Sequence, residues 1–138
     1  MTLSEKVIHL LIEEAEKARN MAYAPYSKYL VGAALVVPSG KIYTGCNVEN
    51  ASYGASVCAE RSAILSAISN GYKRYDFDKL YIMCDNDKIG MSCFLCRMVI
   101  SELFERDREV IAMNPKGDTE IHTVEELCPY PFSDKDLL

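Results

Sequence analysis

Cys58, Cys93 and Cys96 are the residues of this sequence best suited to chemistry. Cys93 and Cys96 stand three apart, so in the first turn of a helix their side chains share one face. Each of the three thiols lies at or beside the predicted start of a helix, just after a loop. A helix N-terminus presents unpaired N–H groups and partial positive charge. Both favour thiolate over thiol, and thiolate is the form that binds metal. If the two helices lie side by side, the three sulfurs can meet one ion. Zinc takes soft sulfur ligands in tetrahedral geometry, and three protein ligands leave one position open, the catalytic rather than the closed structural pattern. Glu60 lies two residues after Cys58. A metal lowers the pKa of bound water to roughly 7 and makes hydroxide available at neutral pH. A carboxylate held over the open position can take the proton and deliver it to a leaving group.

The elements that must position these residues are legible in the hydrophobic spacing. Val7, Leu10, Leu11, Ala15 and Ala18 predict an amphipathic helix over 3–22, with Thr2 as its cap, Glu5 reaching back and Pro25 beyond its end. Two apolar runs, 31–37 and 42–48, flank the turn signal Pro38-Ser39-Gly40 and read as a hairpin. Residues 49–57 are small and polar, a loop. Residues 58–70 read as a helix stopped by Gly71. Its stripe of Ala59, Ala63 and Ala67 is small enough for another element to approach closely. Residues 80–84 predict a strand, and 93–104 a helix with few clearly polar residues: Arg97, Ser101 and Glu102. A helix apolar nearly all round is buried nearly all round, which points to a subunit interface. Strands follow at 109–113 and 120–124, separated by the turn Asn114-Pro115-Lys116-Gly117. A helix, two strands, then strands alternating with helices make a sheet flanked by helices, an α/β sandwich.

Composition narrows the ligand. The chain has 138 residues, 49% hydrophobic and 25% charged, ordinary for one soluble globular domain spanning 1–138. A formal net charge of −5 argues against nucleic acid as partner, because phosphate backbones need clustered Lys and Arg. It leaves room for a small neutral ligand. No stretch approaches the ~20 apolar residues of a membrane span. The N-terminal Met-Thr-Leu-Ser-Glu-Lys has no secretory pattern, so the expected location is cytoplasmic. In a reducing compartment the six cysteines are more often ligands, catalytic thiols or core residues than disulfides.

Cys58-Ala59-Glu60-Arg61 followed by Cys93-Phe94-Leu95-Cys96-Arg97 resembles the cytidine deaminases, zinc enzymes in which a Glu that is not a ligand shuttles protons. Asn47-Val48-Glu49-Asn50-Ala51-Ser52-Tyr53-Gly54 and Ala24-Pro25-Tyr26-Ser27-Lys28-Tyr29, running into Val31-Gly32-Ala33-Ala34, extend the resemblance over nearly the whole chain. It implies a three-layer α/β/α sandwich with a mixed central sheet of about five strands and flanking helices. It implies one Zn2+ per subunit on Cys58, Cys93 and Cys96, with Glu60 as the proton shuttle. Asn47 and Glu49 resemble the residues that hold the ribose 3′-hydroxyl. Tyr29 takes the place of a Phe that packs on the pyrimidine, and the backbone of Ala59 would hydrogen-bond the base. Arg61 resembles the arginine that bonds zinc-bound thiolate. Three thiolates around Zn2+ sum to one negative charge, which a guanidinium offsets. Phe132, in Pro129-Tyr130-Pro131-Phe132, resembles the tail aromatic that reaches a neighbouring subunit's pocket in a homotetramer. The implied reaction is hydrolytic deamination of free cytidine and deoxycytidine to uridine and deoxyuridine, a step of pyrimidine salvage.

The sequence departs from the family pattern around the cysteine pair. Ser92 stands where the family has Pro, Phe94 and Leu95 where it has Gly-Ala, and Met98 where it has Gln. Ser is a good N-cap, so the helix start is expected to survive. Bulky Phe94 is expected near the metal, where it bears on pocket width. Cys46 and Cys84 read as small core residues, Cys128 as an incidental thiol, and His9 and His122 as surface or core residues. Three rival readings are a deaminase of another nucleoside-like molecule of the blasticidin type, a non-catalytic zinc module, and a dithiol redox protein using Cys93 and Cys96.

Overall fold

A computed structural model describes residues 3–138. Its elements are α1 (Glu5–Arg19), β1 (Gly32–Val36), β2 (Ile42–Cys46), α2 (Ala59–Ser69), β3 (Leu80–Met83), α3 (Phe94–Leu103), β4 (Glu109–Met113), β5 (Thr119–Thr123) and α4 (Val124–Leu127). The strands form one sheet in the order β2-β1-β3-β4-β5. Only β3 and β4 are parallel, and they are the pair joined through a helix, α3. The remaining pairs are antiparallel, and the β1–β2 hairpin sets Ala33 opposite Gly45.

Successive residues of a strand point to opposite faces, and here both sets are apolar. Ala34, Val36, Tyr81, Met83, Ile111 and Met113 turn to one face and pack with Leu11 and Ala15 of α1. Ala33, Leu35, Leu80, Ile82, Val110 and Ala112 turn to the other and pack with α2, α3 and α4 through Ala59, Ala63, Ile64, Ile100 and Val124. A sheet with both faces covered needs near-continuous apolar strands, as 80–83 and 110–113 are. The result is the expected three-layer α/β/α sandwich with a mixed five-stranded sheet.

The small stripe of α2 behaves as its sequence suggests. Ala59, Ala63 and Ala67 are all fully buried. A Cβ added at Gly45 would lie 2.4 Å from the Ala63 nitrogen and 2.5 Å from the Ala59 carbonyl oxygen. The helix backbone therefore rests directly on β2. Gly32, one strand over, receives α1 in the same way: its Cβ would lie 2.0 Å from the Ala15 carbonyl oxygen. Gly71, with φ of 100°, ends α2 as predicted.

Some expectations need correction. The first helix ends at Arg19 rather than residue 22, and its cap is Ser4, whose hydroxyl accepts from the Val7 N–H. Thr2, the expected cap, lies outside the described residues. The start of α3 is capped by Cys93, not Ser92. Within this chain Cys96 and Ile100 of α3 are buried while Phe94, Leu95 and Met98 are exposed, so the apolar residues ascribed to a subunit interface face outward. Cys84 is a core residue as expected, but Cys46 is only half-buried.

Replacing Gly45 with Ala should push α2 off β2 and cost about 1–3 kcal/mol or more, since the obstruction is backbone on both sides. Urea unfolding measures this. A Gly45→Ala protein as stable as the parent would show that α2 can shift freely.

Candidate metal centre and adjoining cavity

Cys58 is the N-cap of α2 and Cys93 the N-cap of α3. Both helices lie on the same face of the sheet, so their starts can meet. The loop before α2 is closed at its base by paired 2.9 Å hydrogen bonds between the backbones of Val48 and Val57, which fixes where Cys58 emerges. The Cys93 sulfur accepts the Cys96 N–H at 3.4 Å, folding the second thiol back toward the first. The three sulfurs lie within 4.8 Å of one another, and those of Cys58 and Cys93 are 3.6 Å apart. Among the described residues this is the one group of three or more side chains able to hold a metal.

The protonation of these thiols shows how charge is shared among them. The Cys58 thiol is lowered to about 5, chiefly by hydrogen bonding from the Cys96 thiol, with Arg61 helping. Cys96 is pushed well above the usual thiol range by that same hydrogen bond and by burial. The opposite directions have one cause. The first anion is stabilised by its neighbour's proton, and a second anion beside it is not. Arg61 Nη2, 3.6 Å from the Cys58 sulfur, brings one positive charge. Three thiolates at this spacing need a further cation, and three soft sulfurs with no competing oxygen fit zinc.

Glu60, in the first turn of α2, is 4% exposed and faces the same place. Burial pushes its carboxyl up from the ordinary carboxylate value, while the hydrogen bond from Ser92 pulls it down. Ser92 Oγ donates to Glu60 Oε2 at 2.7 Å. A cavity of about 290 Å³ opens beside these groups, lined by Tyr29, Val31, Asn47, Glu49, Ala59 and Glu60, with Cys58 and Cys93 among its walls. That is the small end of the range for ligand pockets. A Cβ at Gly90 would lie 2.6 Å from the Tyr29 hydroxyl, so Gly90 makes the slot that lets the ring stand there.

Asn47 lines the cavity with both ends of its amide bonded to backbone: Oδ1 accepts the Val31 N–H and Nδ2 donates to the Tyr29 carbonyl, each at 2.8 Å. It splints the segment that carries Tyr29. Glu49 accepts from the Tyr26 and Ser27 N–H groups at 3.0 and 3.1 Å and from the Ser27 hydroxyl.

Of the residues singled out from sequence, Cys58, Cys93, Cys96, Glu60, Arg61, Ala59, Tyr29, Asn47 and Glu49 are thus brought together. Phe132 is not: it is 62% exposed and does not line the cavity of its own chain. Phe94 does not crowd the cavity as expected. It is 73% exposed, with the Arg97 guanidinium 4.4 Å above its ring. Sequence reasoning missed the bond from Ser92 to Glu60 and the part of Arg97, whose Nε donates to the Ser92 carbonyl at 2.7 Å. The signal for Ser92 was present, as a hydroxyl beside Cys93 where proline would have offered none.

The three-layer fold and the cysteine cluster define a zinc-binding deaminase architecture, and residues 5–113 match the family model described as the cytidine and deoxycytidylate deaminase zinc-binding region. The chain belongs to the cytidine deaminase family. It is 44% identical over 130 residues to a cytidine deaminase of Sporosarcina psychrophila, covering 94% of each chain. Its fold matches the crystal structure of cytidine deaminase from Burkholderia pseudomallei with a TM-score of 0.87 and 42% identity, over 94% of this chain and 100% of that one. A more distant relative is a blasticidin-S deaminase of Bacillus cereus, 34% identical over 131 residues, 89% of this chain and 90% of that protein.

The hydrogen bonds to Glu49 hold its carboxyl below the ordinary value of 4.5. A depressed folded value means the contact is complete above 4.5 and lost as pH falls through the folded value. Amide exchange at Tyr26 and Ser27, corrected for intrinsic rates, should therefore speed up in acid well below pH 4.5 and stay slow at neutral pH. Protection that is unchanged in acid would remove Glu49 as the anchor of this turn.

Proposed function

We propose that the chain is a zinc-dependent hydrolase that converts free cytidine and deoxycytidine to uridine and deoxyuridine with release of ammonia. The observation that carries this reading is a buried carboxylate, Glu60, beside three convergent sulfurs at a cavity of nucleoside-binding scale. Cys58, Cys93 and Cys96 would hold one Zn2+ per subunit, which supplies a water acidic enough to ionise near neutral pH. Glu60, shielded from solvent, carries a proton to the pyrimidine N3 and then to the departing amino group. Arg61 offsets the negative charge of the thiolates. The Tyr29 ring packs on the base, the Ala59 backbone bonds it, and Asn47 and Glu49 lie at the ribose end. The Glu49 carboxylate and the net charge of −5 disfavour phosphorylated and polymeric substrates.

Further parts of the reading rest on the same resemblance. Residues 1–138 form one domain. The uncovered apolar residues of α3, with Leu65 beside them, support a homotetramer in which Phe132 serves a neighbouring subunit. No helix among the described residues is long and apolar enough to cross a membrane. Free thiols able to take metal suit a reducing compartment, so we assign the enzyme to cytoplasmic pyrimidine salvage. Similarity to a blasticidin-S deaminase supports a second reading, a different nucleoside-like substrate, which side-by-side turnover of cytidine and blasticidin S separates.

Purified protein incubated with cytidine should yield uridine, with zinc measured in the same sample. Glu60→Gln should keep the metal and lose about 10²-fold or more in turnover, the share that a positioned acid–base group supplies. Cys93→Ala should lower the metal content. Appreciable uridine from the Glu60→Gln protein, or full metal occupancy without Cys93, would contradict these roles.

A further inference from the structure

We infer that Ser92 is a positioning residue for Glu60, fixing the plane and reach of its carboxylate for the proton transfers of the deaminase reading, on which this inference rests. Ser92 and Glu60 are 3% and 4% exposed, and they come from different helix starts, 32 residues apart. Their contact, Oγ–H to Oε2 at 2.7 Å, is a well-formed hydrogen bond. The terminal torsion of a glutamate is broad and has no strong staggered preference. Packing alone therefore does not choose the carboxylate plane, whereas a directional donor on one oxygen does. The donor engages Oε2, and Glu60 also lines the cavity.

Ser92 can act in this way because it is itself held. Its carbonyl accepts Arg97 Nε at 2.7 Å, and Arg97 Nη1 donates to the Leu127 carbonyl at 3.2 Å. The guanidinium is also stacked over Phe94. The first turn of α3 is thereby tied to the end of α4, and Ser92 stands between this clamp and Cys93. Its hydroxyl is not spent on capping, since Cys93 is the N-cap. One of the unusual side chains after the first cysteine of the pair thus has an assignable use: Phe94 lies under the Arg97 guanidinium, which in turn bonds the Ser92 carbonyl.

The test compares Ser92→Ala and Ser92→Thr with the parent enzyme, reading kcat, KM, zinc content and thermal midpoint for each. Removing the hydroxyl should lower kcat about tenfold or more, as expected when a reacting group is misplaced by a fraction of an ångström. KM should stay within about twofold, because ground-state binding does not use Glu60's orientation. Zinc content and thermal midpoint should stay near the parent values. Threonine keeps the donor and should restore most of kcat. A Ser92→Ala enzyme with parental kcat would overturn the inference, as would a loss of turnover that merely tracks lost zinc. A parent protein that makes no uridine would instead bring down the deaminase reading itself, so the two failures are told apart.

Discussion

Two helix starts that are distant in sequence must arrive at one point, and every feature of the site depends on that convergence. Cys58 begins α2 and Cys93 begins α3, and the meeting tolerates little error if the three sulfurs are to share one ion. The precision comes from the sheet. α2 lies with its backbone against Gly45 and its alanines fully buried, so it has almost no freedom to slide. α3 is the next element after β3, across the loop 84–93, and the chain then returns to β4 alongside β3. Convergence of this kind creates an electrostatic problem as well as a chemical opportunity. Clustered sulfurs cannot all be anions without positive charge, and the protein itself contributes only part of it through Arg61.

The carboxylate beside the sulfurs is governed by a different balance. A buried, nearly dry Glu60 would rather be neutral, and a group that is always neutral cannot accept a proton. The Ser92 hydroxyl opposes this by favouring the anion. Burial and hydrogen bonding thus pull in opposite directions on one side chain, as the proton-carrying role proposed for it would require. The cavity wall opposite is supported more plainly. Asn47 uses its whole amide to hold the chain around Tyr29, so the aromatic surface offered to a ligand is fixed before anything binds.

Much of this was legible in the residues alone. The strand alternation from 80 to 83 and from 110 to 113 gives two apolar faces, which only a sheet covered on both sides can use. The spacing of Cys93 and Cys96 and the position of Glu60 after Cys58 carried the site, because helix geometry makes such short spacings informative. What was misjudged involves choices between near-equal local options. Thr2 and Ser4 can each cap a helix, as Ser92 and Cys93 can each precede one, and in the structure Ser4 and Cys93 take the position, each accepting the N–H three residues on. The direction of Phe94 was illegible for a further reason. A residue next to a ligand in sequence points about 100° away from it around a helix, so adjacency along the chain predicts separation in space.

β5 closes one side of the sheet with Thr119, Glu120, Ile121, His122 and Thr123, its first three residues exposed and His122 bonded to Glu120 at 2.8 Å. An outer strand that carries a carboxylate and is short, five residues, is a poor template for strand addition. Growth of the sheet from one molecule into the next is therefore discouraged at this border. A contact between copies of this chain at that border would rest on side chains rather than on backbone pairing.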